Sequence, residues 1–192
     1  MSKSSRVSID FLWHSFLKGD DKSFAVIYQQ HIDSLLSYGY KLSQDKELVS
    51  DCIQDIFLEL YYKRENLSGN IKNPKAYLFI ALRNNIVKKV EQYRKQNSME
   101  IKECLFEDMF NTEYSYQDKL IEMEISSEIK NKLNMAVNSL PPRQKEIIYL
   151  KFEEELAYIE ISEILMISVE SARKLLHRAI LSLREIVKPS RN

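Results

Sequence analysis

The chain has 192 residues, of which 44% are hydrophobic, enough for a packed core without help from a membrane or a metal. It contains only three glycines and four prolines, too few for the many turns of a multi-stranded fold. Two cysteines in a chain of this length favour a reducing compartment over a disulfide framework. We therefore expect an all-α protein.

The net charge of zero hides an uneven distribution. Residues 1–96 carry 15 basic and 11 acidic side chains, residues 97–130 carry 3 and 9, and residues 131–192 carry 10 and 8. Charge asymmetry between segments says more about partners than the sum does. The pattern predicts two mildly basic helical blocks on either side of an acidic connector.

The first block shows helical spacing of apolar residues through most of residues 8–95. Asn73 can cap the last of its helices, and Pro74 suits the first helical position. The predicted helices are Ser8–Leu17, Lys22–Tyr40, Asp45–Lys63 and Asn73–Lys95.

The third helix has two different sides. Its outward side is acidic but also carries Leu58 and Tyr62, a combination that suits a basic protein partner better than DNA. The alternative is an ordinary solvated surface with two incidental apolar residues.

The fourth helix has the opposite charge. Lys75, Arg83, Lys88 and Lys89 are interleaved with aromatic residues along it. Basic side chains follow phosphates, and exposed aromatic rings stack on unpaired bases, so the pattern indicates a site for single-stranded DNA. The alternative is that at least one of Tyr77 and Phe79 belongs to the core.

Helical periodicity is poor between the two blocks and returns near Met123. The second block is predicted to form a helix that stops at Leu140, followed by helices at Arg143–Phe152, Ala157–Leu165 and Ser168–Val187. A short helix, a tight turn and a second helix with a polar, basic N-terminal face is the arrangement that enters the major groove of DNA. A three-helix bundle with a solvated outer face is the alternative.

The C-terminal run resembles the fourth conserved region of the sigma-70 family. The resemblance rests on LPPRQ at 140–144, on ISV at 167–169 and on LHRA at 176–179. It implies recognition of the minus-thirty-five promoter element. The turn differs from the family at Met166, where glycine or asparagine is usual. The residues that the resemblance assigns to DNA contact are Ser171, Arg173, Lys174, His177 and Arg178.

The N-terminal block resembles the second conserved region of the same family. The segment DCIQDIFLELYY at 51–62 is similar to the helix that docks on the clamp coiled coil of the largest polymerase subunit. The resemblance implies that the residues binding core RNA polymerase are Asp51, Gln54, Asp55, Phe57 and Leu58. The segment at 73–95 is similar to the helix that recognises the minus-ten element. The residues it assigns to that DNA are Asn70, Lys72, Asn84, Lys88 and Lys89.

Together the two regions identify the chain as similar to the compact extracytoplasmic-function (group 4) sigma factors. The implied division is a promoter-melting domain at 1–96, an acidic linker at 97–125 and a helix-turn-helix domain at 126–192. The implied partners are core RNA polymerase (the clamp coiled coil and the beta flap), promoter DNA and an anti-sigma factor. The linker's acidity is expected to mimic nucleic acid near the RNA-exit channel.

Three other functions account for the sequence less well. A stand-alone regulator explains the helix-turn-helix but not the acidic helix followed by a basic one. The basic side chains around Arg173–Arg178 argue against an anti-sigma or adaptor protein that makes only protein contacts. An enzyme is disfavoured because the sequence has no phosphate-binding loop and no His/Cys cluster. No cofactor or metal is expected. Without an apolar stretch of about 18 residues, the chain is expected to be cytoplasmic, with no membrane insertion of its own.

Overall fold

The computed structural model describes residues 9–67, 71, 73–96, 109–110 and 127–187. Within these ranges the chain consists of helices and turns without a strand, which confirms the all-α fold class.

The chain divides into two compact units. One comprises residues 1–40 and 45–90, and the other comprises residues 41–44 and 91–192. The limits of the linker stay a prediction, since most of residues 97–125 lie outside the described ranges.

The helices of the first block lie close to their predicted positions. Asp45 caps the third of them by accepting a hydrogen bond from the backbone N–H of Leu48 at 3.0 Å. Asn73 accepts one from Ala76 at 3.2 Å, which confirms the predicted cap before Pro74. The elements are α1 (Ile9–Leu17), α2 (Asp21–Leu42), α3 (Lys46–Tyr62), a short 3-10 turn (Arg64–Asn66) and α4 (Pro74–Gln96).

Aromatic rings hold α1, α2 and α3 together. The centroid of Phe16 lies 5.7 Å from that of Trp13 and 5.2 Å from that of Phe24. Phe24 in turn lies 6.1 Å from Phe57. Each such pair contributes about 0.5–1.5 kcal/mol beyond the burial of its area. The rings therefore set how α2 and α3 present their outward surfaces.

The second unit departs from the sequence prediction at one element. The single helix expected at Arg143–Phe152 becomes a short α-helix followed by a π-helical turn, in which Glu154 N–H donates to the carbonyl of Tyr149 at 3.2 Å. The buried hydroxyl of Tyr149 also donates to the Glu154 carboxylate at 2.7 Å, which stabilises the widened turn. The elements are α5 (Ser127–Asn138), α6 (Pro142–Ile148), the π turn (Tyr149–Glu153), α7 (Tyr158–Leu165) and α8 (Val169–Val187).

One residue of the predicted linker belongs to the core of the second unit. Phe110 is 1% exposed, and its ring centroid lies 5.8 Å from that of Tyr149. The connector is therefore anchored at this residue, a feature that its poor periodicity did not indicate.

Candidate functional site

The outward surface of α3 carries most of the side chains assigned to polymerase binding. Asp51, Gln54 and Asp55 are exposed. Leu58 is 54% exposed and Tyr62 is 78% exposed. Apolar side chains this open to water on a packed helix are typical of a surface that meets a partner. The structure thus brings together four of the five predicted residues.

Phe57, the fifth, lies beneath this surface. It is 4% exposed and belongs to the buried side of α3, so of the five assigned residues it is the one that is not open on the outward surface. Its ring packs 4.8 Å from that of Tyr28 and helps to form an open groove of about 480 Å³. The contribution of α2 was not predicted from the sequence, although Phe24 and Tyr28 stand one helical turn apart. The groove is lined by Phe24, Tyr28, Gln54, Phe57, Leu58, Tyr61 and Tyr62.

The residues assigned to the minus-ten element are only partly described. Asn84 and Lys88 are exposed on α4. Asn70 and Lys72 lie outside the described residues. Arg83, included in the basic surface on sequence grounds, is 1% exposed and belongs to the core. Its burial follows from the helical repeat, which places it on the same side of α4 as the apolar residues.

The aromatic residues of α4 divide between core and surface. Phe79 is fully buried, so the alternative of a core residue holds for it. Tyr77 is half-buried, with its ring 6.1 Å from that of Trp13. Tyr93 is 64% exposed. Of these three rings, Tyr93 is therefore the one most open to an unpaired base.

Lys89 is engaged by a residue that the sequence assigned to a different site. Its Nζ donates to Asp55 Oδ2 at 2.7 Å, so an ion pair joins α4 to α3. The hydrogen bond to Asp55 raises the pKa of Lys89 above its ordinary value. The pair places the acidic surface of α3 next to the basic surface of α4.

The turn between α7 and α8 is well defined. Met166 ends α7 with φ 53° and ψ 46°, a left-handed conformation that favours the glycine or asparagine usual in the family at this position. Arg143 Nη1 donates to the carbonyl of Leu165 at 3.2 Å. Ser168 accepts a hydrogen bond from Ser171 N–H at 3.0 Å and so caps the start of α8. The second helix is thus held firmly at its N-terminal end.

The outward side of α8 gathers the residues assigned to the minus-thirty-five element. Ala172, Leu176 and Ala179 are buried, so the opposite side of the helix faces water. Lys174 pairs with Glu170 on the same helix at 2.6 Å, an exposed pair of little strength. Four cationic or titratable side chains line a shallow depression of about 560 Å³, and these are Arg173, Lys174, His177 and Arg178.

Tyr158 is a residue of this site that was not assigned to DNA contact from the sequence. It is half-buried. The guanidinium carbon of Arg173 lies 5.6 Å from its ring centroid, and Lys151 Nζ lies 5.1 Å from it. Lys151 also donates to the carbonyl of Leu156 at 3.0 Å. No local pattern indicated these contacts, because they join three separate elements.

Two family models match separate parts of the chain. The model of Sigma-70 region 2 matches residues 27–98, and the model of Sigma-70, region 4 matches residues 136–185. The chain belongs to the sigma-70 family. The family predicted from the sequence is confirmed, and with it the role of a transcription initiation factor for RNA polymerase.

Curated relatives extend the similarity along most of the chain. This sigma factor is 25% identical to the ECF RNA polymerase sigma factor SigW of Bacillus subtilis (strain 168), over 88% of this chain and 90% of SigW. It is 26% identical to the ECF RNA polymerase sigma factor SigM of the same organism, over 80% of this chain and 88% of SigM. These relatives agree with the extracytoplasmic-function group predicted from the sequence.

Two solved structures share the fold. The sigma factor RpoE of Bartonella quintana, in complex with the anti-sigma factor NepR, has a TM-score of 0.59 at 20% identity, covering 88% of this chain and 99% of RpoE. CnrH, in complex with the cytosolic domain of CnrY, has a TM-score of 0.58 at 15% identity, covering 93% of this chain and 96% of CnrH.

Among the described residues, the sigma factor has a second non-glycine residue with a left-handed backbone, and it was not predicted from the sequence. Glu155, between the π turn and α7, has φ 57°. Glu155 and Met166 both lie inside the region 4 match.

The described helices include none with the length and apolarity needed to cross a bilayer.

Proposed function

We propose that this sigma factor binds core RNA polymerase through the outward surface of α3 and holds promoter DNA with α4 and α8. One observation carries the proposal. The exposed side chains of α3 are acidic and apolar, whereas those on the outward side of α8 are mostly cationic. Surfaces of opposite character suit a basic protein partner and a nucleic acid respectively.

The proposed polymerase contact combines charge and apolar area. Asp51 and Gln54 offer acceptors, and Leu58 and Tyr62 offer exposed apolar surface beside the aromatic groove. A basic coiled coil with one apolar side chain fits these features, because the groove can take that side chain while cations pair with the carboxylate. The family resemblance supports the clamp coiled coil of the largest subunit as this partner.

The proposed minus-ten contact lies on α4 and the loop before it. Asn84 and Lys88 are exposed there, and Asn70 and Lys72 belong to the same assignment on sequence grounds. Extruding a base from duplex DNA costs a few kcal/mol. We therefore expect specific promoter opening only when polymerase contacts contribute as well.

The proposed minus-thirty-five contact is made by the N-terminal half of α8. Arg173 and Arg178 are exposed, as are Ser171, Lys174 and His177. An arginine that reads a guanine edge contributes about 1–3 kcal/mol of discrimination, whereas contacts to phosphate mainly position the helix. We expect both kinds of contact from this set.

We further propose that an anti-sigma factor restrains the protein, as the complexes containing RpoE and CnrH suggest. Exposed apolar residues of the second unit support an additional protein contact, with either this partner or the beta flap. Met135 is 73% exposed, Ile159 is 60% exposed and Leu181 is 44% exposed. Displacing bound core polymerase with a candidate anti-sigma protein tests this part separately.

The test is run-off transcription with purified core polymerase on fragmented genomic DNA. We expect the protein to direct transcripts from a defined set of start sites. Leu58→Glu should abolish association with core polymerase. Arg178→Ala should retain association and lose promoter activity. Asp33→Asn, an exposed acid of α2 that does not line the groove, should change neither.

The same experiment separates this function from that of a stand-alone regulator. A regulator binds its duplex operator without polymerase, with an affinity that survives physiological salt. Specific duplex binding by the free protein, together with no transcript from core polymerase, contradicts the proposal.

A further inference from the structure

The aromatic ring of Tyr158 contacts a cationic side chain on the outward surface of α8. Tyr158 is the first residue of α7, and its ring lies near two cations from other elements. The guanidinium carbon of Arg173 in α8 is 5.6 Å from the ring centroid, and Lys151 Nζ in the π turn is 5.1 Å from it. Both distances fall within the range of a cation–π contact.

The ring has a defined place relative to the helix that follows. Glu160 accepts a hydrogen bond from Ala157 N–H at 2.6 Å, which fixes the start of α7. Lys151 is held on its other side by the carbonyl of Leu156 at 3.0 Å. Arg173 therefore contacts the ring of a residue, Tyr158, whose backbone is fixed at the start of α7.

Arg173 differs in this respect from its neighbour on the same surface. Lys174 pairs with Glu170 of its own helix at 2.6 Å, and both side chains are largely exposed. An exposed pair of this kind restrains a lysine only weakly. A guanidinium has several N–H donors, so a cation–π contact with the ring leaves donors of Arg173 available for hydrogen bonds to DNA.

We propose that Tyr158 is a positioning residue that presents Arg173 to the minus-thirty-five DNA. The inference rests on the proposed function and deepens it. An arginine in water loses much of its rotamer freedom when it binds, and that loss weakens affinity. The ring restricts Arg173 before DNA binds, so part of the rotamer freedom of Arg173 is already lost in the folded protein and does not weaken binding.

A double-mutant cycle tests the proposal. Holoenzyme assembled from core polymerase and each variant is titrated with promoter DNA that carries the minus-thirty-five element. We expect Tyr158→Leu to weaken binding about two- to fivefold, the size of an exposed cation–π contact. Tyr158→Phe should retain binding, since it keeps the ring. Tyr158→Leu should have no further effect in the Arg173→Ala background.

Lys174→Ala supplies the matched control background. Lys174 lies on the same surface but pairs with Glu170, so Tyr158→Leu should keep its full effect there. An equal effect of Tyr158→Leu with and without Arg173 overturns the positioning role. A loss for Tyr158→Phe as large as for Tyr158→Leu also overturns it, since the hydroxyl is then the important group. Unchanged binding by Arg173→Ala instead overturns the assignment of Arg173 to DNA, and the inference with it.

Discussion

Asp55 Oδ2 and Lys89 Nζ lie 2.7 Å apart, and their ion pair joins the helix proposed to bind polymerase to the helix proposed to bind DNA. The side chain of Asp55 is 53% exposed and that of Lys89 is 31% exposed. Each is therefore open to an external partner as well as to the other. A cation that takes Asp55 releases Lys89 for phosphate, so the two proposed surfaces are linked through this pair.

The first prediction concerns this link. Asp55→Asn should increase the affinity of the free protein for a single-stranded minus-ten oligonucleotide about two- to fivefold. In this variant Lys89 binds phosphate without first breaking an ion pair with a carboxylate. Fluorescence anisotropy with a labelled oligonucleotide measures this change.

Asp51→Asn is the matched control for that prediction. It removes the same charge from the same exposed side of α3 without removing the partner of Lys89. A smaller gain for Asp51→Asn supports the link. Equal gains for the two variants would mean that only the overall charge matters.

The second prediction concerns the left-handed Met166. A residue with a Cβ costs about 1–2 kcal/mol in this conformation. Glycine has no Cβ and therefore adopts it without that cost. Met166→Gly should therefore raise the free energy of unfolding of the second unit by about 1 kcal/mol, measured by urea denaturation. The 58% exposure of Met166 means that little packing is lost.

Met135→Gly provides the opposite case for comparison. Met135 is 73% exposed within α5, where the backbone is helical. Glycine should there lower the free energy of unfolding by about 1 kcal/mol. A loss of stability in both variants would show that the turn at Met166 carries no strain.

The third prediction concerns the close approach of α2 and α3. A Cβ at Gly39 would lie 2.5 Å from Val49 Cγ1, which is a buried side chain. Gly39→Ala should lower the free energy of unfolding by about 1–3 kcal/mol, because overpacking outweighs the better helix propensity of alanine. Adding Val49→Ala should recover part of the loss, and a double variant no more stable than Gly39→Ala would argue against the clash.

The fourth prediction concerns the thiol of Cys52. The residue is fully buried, and burial raises its pKa to about 11. In a Cys104→Ser background, the folded protein should react with a thiol reagent at pH 8 at least about 100-fold more slowly than the urea-unfolded protein, because the thiolate is scarce. Comparable rates in the two states would contradict the burial of Cys52.

The raised pKa of the Cys52 thiol makes the free energy of unfolding depend on pH. A raised pKa means that the unfolded chain releases the thiol proton first, so the contribution of Cys52 to stability is present at neutral pH and is lost as pH rises from about 9 towards 11. The variant Cys52→Ala should show a smaller decline over this range than the parent. Urea denaturation at pH 8 and pH 10.5 measures the difference.

The helices and the helix-turn-helix could be predicted from the sequence because each depends on neighbouring residues. Apolar spacing placed α8, and Ser168 identified its beginning. The family resemblance also drew attention to Met166, the position at which the backbone is left-handed. Glu155 was missed because no such comparison drew attention to it.

Burial along a helix was predicted less well than the helix itself. Arg83 was assigned to the basic surface of α4, but it is 1% exposed. A charged or aromatic side chain is compatible with either side of a helix, so composition alone does not assign it. The neighbouring helices decide its side.

By itself, the sequence determined the fold class, the helix positions, the family and the segregation of acidic and basic surfaces, because all of these are carried by local spacing and motif. Only the tertiary structure decided that Lys89 meets Asp55, that Arg173 meets Tyr158 and that the π turn widens after α6. These contacts depend on how separate helices pack against each other. Packing brings together residues far apart in the chain, and no local pattern records which pairs will meet.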